Sequence, residues 1–306
     1  MNSIKKFVAL VAVIFFVTFN VASAETLTYN DINPPVEKFI AELPVAKCDY
    51  KSRQRPILIQ GAMTAEVGKL MQALKNPVAY RYLNYVFVAG TYKNYPVVVS
   101  RTEIGIANAA VATAFAIEHF NPIAIINQGT AGGYAPNLHL NDIVIADKSI
   151  NYSAYYEEYS PVGEFDITKQ ILRGTYVYDD KKPTEFTISR ELDVDEKLLQ
   201  IAKDTAALNR NWKVTVGTIG SADSWNNAVD HINFLRDNYG MLCEEMETNS
   251  VAQVCYTAKV PFIGIRVVSN NIITGEKFDL STALRCQDFV LLVTDRLIKN
   301  IKGGKF

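Results

Sequence analysis

The sequence predicts a single α/β sandwich domain, and three observations carry that reading. Apolar runs with the composition of strands alternate with stretches of helical period from about Pro56 to Ile298. The chain has 306 residues, 49% of them hydrophobic, which is enough to bury one large core. No internal repeat and no linker divides it.

Two segments stand ahead of that domain. Lys5-Lys6, the apolar run Phe7 to Val17 and the Ala22-Ser23-Ala24 triplet read as the charged, hydrophobic and cleavage regions of a signal peptide over residues 1–24. The run breaks at Thr18 and Asn20 and is too short to span a bilayer, and no Cys follows Ala24 as a lipoprotein would require. The mature chain is therefore expected to begin at Glu25, to be periplasmic or secreted, and to keep no stable membrane association. Residues 25–55 read as an arm, broken at Pro34-Pro35, with one short amphipathic helix over Val36 to Leu43 that packs on the body or on a partner subunit.

The domain, 56–306, opens with a strand over Pro56 to Gln60, then Gly61 and a helical pattern from Ala62 to Leu74. Tyr85 to Gly90 and Pro96 to Ser100 form a hairpin pair. Gly105 to Phe120 is an Ala-rich helix, stopped by Asn121-Pro122. Ile123 to Ile126 is apolar without alternation, hence a buried strand, and it runs into the loop Gly129-Thr130-Ala131-Gly132-Gly133. Glycines there let backbone N–H groups approach a ligand, although the pattern matches neither a P-loop nor GxGxxG. Asp142 to Ser149 is a strand, residues 151–186 are a polar, Tyr-rich excursion, Val194 to Leu208 is a helix and Lys213 to Ile219 a strand. Trp225 then stands in the loop Ser221-Ala222-Asp223-Ser224-Trp225. Pro261 to Val268 is another buried strand, leading to Ser269-Asn270-Asn271, and Ala283 to Ile298 is the closing helix.

Met241 to Glu247 is the segment around which the rest is arranged. Val251, Val254, Cys255 and Ala258 mark a helical stripe after it, so the carboxylates Glu244, Glu245 and Glu247 fall at a strand-to-helix junction. Open α/β sheets hold their ligands at such junctions, and an ionised Glu247 can accept two hydrogen bonds, as the vicinal hydroxyls of a ribose would offer. From these residues alone a helix cap is the simpler role.

Composition excludes several classes. The formal charge is −1 with Lys and Arg scattered, so no basic face exists for nucleic acid. His119, His139 and His231 are far apart and no CxxC occurs, so neither a metal nor another cofactor is expected. Cys48, Cys243, Cys255 and Cys286 suit an oxidising compartment without forming a dense disulfide framework.

Six stretches together resemble the purine nucleoside phosphorylase/nucleosidase superfamily, and most closely the 5'-methylthioadenosine/S-adenosylhomocysteine nucleosidases. They are Gly61 to Val67, Ile104-Gly105 with the helix after it, Asn127 to Gly133, Ser221 to Trp225, Glu245-Met246-Glu247 and Arg266 to Asn270. The resemblance implies a three-layer sandwich with a mixed, twisted central sheet flanked by helices, a purine nucleoside as ligand, and a homodimer. It assigns Glu66 to the nucleophilic water, Glu247 to the ribose 2'- and 3'-hydroxyls, Met246 to packing beneath the sugar and Trp225 to stacking on the purine. Thr130, Ala131, Gly132, Ser224, Glu245 and Ser269 join these as substrate-binding residues, and Asn270 joins Glu66 as catalytic. Cleavage of the C1'–N9 bond passes through an oxocarbenium-like state, which a carboxylate that also positions water would stabilise.

Two departures from the family's pattern bear on activity. Glu103 replaces a usual Gly and brings a carboxylate to the mouth of the site. Asn270 stands where the adenine-cleaving nucleosidases have an Asp that protonates N7, and an amide is no general acid. The phosphorylase branch holds phosphate with arginines, one just before the Gly-rich loop, where this chain has Gln128; Arg101 and Arg266 are left without an assignment. The reading is an exported purine nucleosidase, shifted by Asn270 toward 6-oxopurines. A non-catalytic nucleoside-binding or storage relative and a phosphate-dependent phosphorylase remain as alternatives.

Overall fold

Where the sequence is apolar on both faces it becomes the interior of one large sheet. A computed structural model describes residues 34–46, 49–179, 182–209 and 211–306. The expected signal peptide, the first part of the arm and Cys48 lie outside the described residues.

In chain order the elements are α1 (Pro34–Glu42), β1 (Ile57–Gly61), α2 (Thr64–Gln72), β2 (Lys75–Tyr82), β3 (Tyr85–Tyr92), β4 (Tyr95–Arg101), α3 (Ile106–Phe120), β5 (Ala124–Gly133) and β6 (Ile143–Asn151). The Tyr-rich excursion holds the short strands β7 (Tyr155–Tyr156), β8 (Ile171–Leu172), β9 (Thr175–Asp179) and β10 (Lys182–Ser189). Then follow β11 (Glu191–Asp193), α4 (Glu196–Leu208), β12 (Val214–Ser221), α5 (Val229–Tyr239), β13 (Met241–Glu245), α6 (Thr248–Ala258), β14 (Phe262–Asn271) and α7 (Ala283–Lys302).

Ten of the strands form one mixed sheet, in the order β11-β6-β12-β13-β5-β1-β4-β3-β2, with β14 bonded to both β5 and β6. Because β14 bridges β5 and β6, the strands β6, β12, β13, β5 and β14 close on one another. Helices cover both faces. One apolar cluster packs α1, α2, α4 and α7 on the sheet through Val36, Leu70, Leu198 and Phe289; the other packs α3 and α6 through Ala112, Ala116, Val251 and Cys255. Burying these apolar faces is the dominant stabilising term.

The fold class and the expected β–α order hold, with three differences. Gly129 to Gly133 is not a loop but the end of β5, paired to β14 on one side and to β13 on the other. Glycine is a poor strand former on its own, and here neighbours on both edges satisfy its backbone groups. The polar edge strand β2 and the helix α5, whose sequence carries no strong apolar stripe, were not expected. The arm's helix is α1, and it packs on the body: Val36, Ile40 and Leu43 join the main core. A Cβ on Gly68 would stand 2.7 Å from Val36 Cγ2, so glycine there lets α1 lie close on α2.

Among the described residues no helix is long and apolar enough to cross a membrane. Cys243, Cys255 and Cys286 are free and buried.

Candidate active site

Glu66 sits in the first turn of α2, where β1 delivers the chain through Gly61-Ala62-Met63. Its carboxylate takes part in that helix start, since Oε2 accepts from the N–H groups of Ala62 at 2.9 Å and Met63 at 3.1 Å. Oε1 accepts from the Thr130 N–H at 2.7 Å and the Thr130 hydroxyl at 3.0 Å. Gln128 fixes the turn beneath by donating from Nε2 to the Glu66 carbonyl at 2.7 Å. Side chains other than hydrogen are shut out at Gly129, where a Cβ would lie 2.5 Å from Glu66 Oε1. Burial pushes the Glu66 pKa up, against the lowering pull of Thr130, Arg266 and Met63.

The junction of β13 and α6 carries two carboxylates with different duties. Glu245 faces inward and accepts from Arg266 Nε at 3.1 Å and from Arg266 Nη2, from the Ser221 hydroxyl, and from the N–H groups of Glu247 at 3.0 Å and Thr248 at 2.9 Å. Expected among the substrate-binding residues, Glu245 spends its lone pairs inside the protein. Burial works against its charge, but Arg266, Ser221 and Thr248 outweigh burial and hold its pKa below the usual range. Arg266, 1% exposed, also donates to Asn127 Oδ1 at 2.5 Å.

Glu247 is the N-cap of α6, yet its side chain does not cap that helix. Oε1 accepts from the Gly105 N–H at 2.9 Å, and Oε2 lies 3.8 Å from Arg266 Nη2. Gly105, at φ +107°, starts α3, whose Ile106 N–H is taken by Asp223 Oδ1 at 2.8 Å. Glu247 was expected to stay ionised. Instead burial, with the charges of Glu245 and Glu66 added, pushes its pKa up to about 8 despite Arg266. A carboxyl that is mostly protonated at neutrality can donate one hydrogen bond and accept another, which suits a pair of vicinal hydroxyls.

At the other end stand Trp225 and Asn270. Trp225 is 45% exposed and meets Phe278 edge to face, ring centroids 5.3 Å apart. Asn270 Oδ1 accepts from the Ser269 hydroxyl at 3.2 Å, and the same hydroxyl reaches the Ala131 carbonyl at 3.2 Å. This turns the Asn270 Nδ2 toward Gly132, whose Cβ would be 3.3 Å from it. Ala131 itself packs into the core, so its side chain does not line a site. Ser224 Oγ bonds the Tyr152 hydroxyl at 2.8 Å, and Met246 is half-buried.

Several members of the site were not read from the sequence. Gly105, Phe278, Tyr134, Tyr152, Asn226 and Glu244 come together only through the sheet register and the segments that follow β4, β5, β6, β12 and β14. Glu244 accepts from the hydroxyls of Tyr134 and Tyr152, both at 2.7 Å, and from Asn226.

Both cations left open by the sequence are engaged. Arg101 Nη1 bonds Glu37 of α1 at 2.8 Å and Thr64 Oγ1 at 3.1 Å, while its Nε bonds Glu103 at 3.0 Å. The extra carboxylate Glu103 thus neutralises a guanidinium at the mouth. Arg266 is consumed by Glu245 and Asn127.

Comparison with known proteins gives the family. The model of the phosphorylase superfamily matches residues 56–299. The 5'-methylthioadenosine/S-adenosylhomocysteine nucleosidase of Anoxybacillus flavithermus is 30% identical over 249 residues, covering 79% of this chain and 99% of that protein. Its counterpart in Bacillus pumilus is 30% identical over 247 residues, 80% of this chain and 98% of that one. The crystal structure of such a nucleosidase from Colwellia psychrerythraea, in complex with adenine, superposes with a TM-score of 0.64 at 25% identity, covering 82% of this chain and 98% of that one. This chain belongs to the phosphorylase superfamily, and within it is similar to the 5'-methylthioadenosine/S-adenosylhomocysteine nucleosidases.

Proposed function

We propose that this protein is an exported purine nucleosidase that hydrolyses the N-glycosidic bond with water as nucleophile and prefers 6-oxopurines. The observation that carries the hydrolytic part is the pairing of a water-activating carboxylate with engaged cations. Glu66 is buried, held by four donors and raised in pKa, which brings it toward the range of an effective general base. Arg101 and Arg266 are each bound to carboxylates, so neither offers the free guanidinium fork that a phosphate dianion needs.

In the reaction Glu66 accepts a proton from water as the water oxygen bonds C1' and the C1'–N9 bond breaks. Until that proton is transferred, the carboxylate's negative charge faces the oxocarbenium-like carbon; the purine leaves with the electron pair of the C1'–N9 bond and takes its proton from solvent. Glu247 holds the ribose 2'- and 3'-hydroxyls, Trp225 stacks on the base and Met246 packs under the sugar. Asn270 cannot protonate N7. Its Nδ2 donates to N7 and O6 of a 6-oxopurine and so stabilises charge on a better leaving group, whereas adenine receives no proton from it.

The test is incubation of the mature protein with inosine, guanosine, adenosine and methylthioadenosine, with and without phosphate, following free base. Release of hypoxanthine without phosphate, faster than release of adenine, is expected. Strict dependence on phosphate would make the protein a phosphorylase, and binding of nucleosides without cleavage would make Asn270 the mark of a binding relative. Export, with the mature chain starting at Glu25, and assembly as a homodimer belong to the same reading; the N-terminal mass of the exported protein and its sedimentation mass test them.

A further inference from the structure

Glu244 is a buried carboxylate that hydrolysis does not use, and strand register brings it to the base end of the site. It pairs with Gly132 across β13 and β5, while Asn270 pairs with the same Gly132 across β5 and β14, so the three residues form one row. A Cβ on Gly132 would lie 3.3 Å from Asn270 Nδ2 and 3.5 Å from Glu244 Oε1. With only hydrogen at Gly132, the row forms a notch that has an amide donor on one wall and a carboxylate oxygen on the other.

The two oxygens of Glu244 are used unequally. Oε2 is saturated by the Tyr134 and Tyr152 hydroxyls at 2.7 Å and Asn226 Nδ2 at 2.8 Å. Oε1 accepts only the Asn226 N–H, at 3.0 Å, among the described residues, which leaves it a lone pair for a further donor. These donors favour the ionised form, against burial, which raises the pKa. The same contacts fasten the Ser224-Trp225-Asn226 turn, since Ser224 bonds the Tyr152 hydroxyl. The ring that would stack on a base and the acceptor that would meet its edge are therefore positioned by one network.

We infer that Glu244 Oε1 reads a ring N–H on the base and is a specificity-determining residue for purines protonated at N1. This rests on the nucleoside-site reading above and deepens it. Hypoxanthine and guanine present N1–H, and guanine adds a 2-amino donor on the same edge. Adenine presents a lone pair at N1, which would face the carboxylate oxygen without a proton between them. A buried polar group left unpaired in this way discriminates strongly.

The experiment compares inosine with 1-methylinosine, which lacks the N1 proton, in the wild type, in Glu244→Gln and in Glu244→Asp. Wild type should prefer inosine in kcat/KM by about 10- to 100-fold, the range of a hydrogen bond to a charged acceptor. Both variants should lose most of that preference, Gln by removing the charge and Asp by withdrawing it. Equal rates on the two substrates in wild type overturn the inference. So does a preference that survives in both variants, which would make the methyl group merely too large, or an equal loss on both substrates, which would make Glu244 a tether only. The affinities of hypoxanthine and 1-methylhypoxanthine, measured by calorimetry, separate this inference from the hydrolytic reading. If no nucleoside is cleaved yet hypoxanthine binds better, Glu244 stands and hydrolysis falls; equal affinities with inosine cleaved give the reverse.

Discussion

Glu245 and Glu247 stand two residues apart, both buried and both beside Arg266, and they differ in what their oxygens do. Glu245 receives Arg266, Ser221 and two backbone N–H groups, so its charge is compensated and its pKa is held down. Glu247 receives one backbone N–H and a guanidinium at 3.8 Å, and its pKa rises to about 8. Burial is common to both; satisfaction of the lone pairs is not. Glu247 keeps unfilled hydrogen-bonding capacity, and the filled Glu245 supports the junction that carries it. One cation serves the region of three carboxylates, so proton uptake by Glu247 relieves a repulsion that Glu245 cannot relieve.

The comparison can be broken most severely at Arg266. Arg266→Met leaves Glu245 buried without its partner and should destabilise the protein by about 3–5 kcal/mol, measured by denaturant unfolding. Adding Glu245→Gln should recover much of that loss, because the uncompensated charge goes with it. A smaller effect separates the two glutamates by pH. The Glu247 carboxyl is raised above its unfolded value of about 4.3, so it binds more protons when folded. Its contribution to stability is full at low pH and is lost as pH rises from about 5 through 8, at up to about 1.4 kcal/mol per pH unit. Glu247→Gln should flatten that slope in thermal melts at different pH, and Glu245→Gln should move the window lower by removing a neighbouring charge. The smallest effect is at the mouth. Glu37→Gln breaks a partly exposed ion pair with Arg101 and should cost less than about 1 kcal/mol, while making the enzyme measurably more sensitive to inhibition by phosphate.

The order of strands and helices was legible because buried strands open on apolar runs, such as Ile57 to Ile59 and Phe262 to Ile265, and the helices between them are periodic. The placement of Glu66 in the first turn of α2 and of Glu247 at the β13–α6 junction was legible from the strand-to-helix pattern. What the sequence hid depends on register. Nothing local to Glu244 and Glu245 says which networks they meet, since their side chains point to opposite faces of β13 and what covers each face is set by the strands and loops packed there. Gly129 to Gly133 reads as a loop until the strands on either side are known. Likewise Arg101 is an unassigned cation until α1, from the arm, brings Glu37 against it.

The assignment of water activation to Glu66, and not to Glu245 or Glu247, is what the hydrolytic reading rests on. Its most direct test is the hydrolysis of inosine by wild type and Glu66→Gln, with binding measured separately by calorimetry under the same conditions. Glu66→Gln keeps the shape of the side chain and removes the base, so turnover should fall by roughly 10²–10⁴-fold while nucleoside affinity changes little. Full turnover in Glu66→Gln, or a loss of binding that matches the loss of turnover, would rule out Glu66 as the group that activates the water.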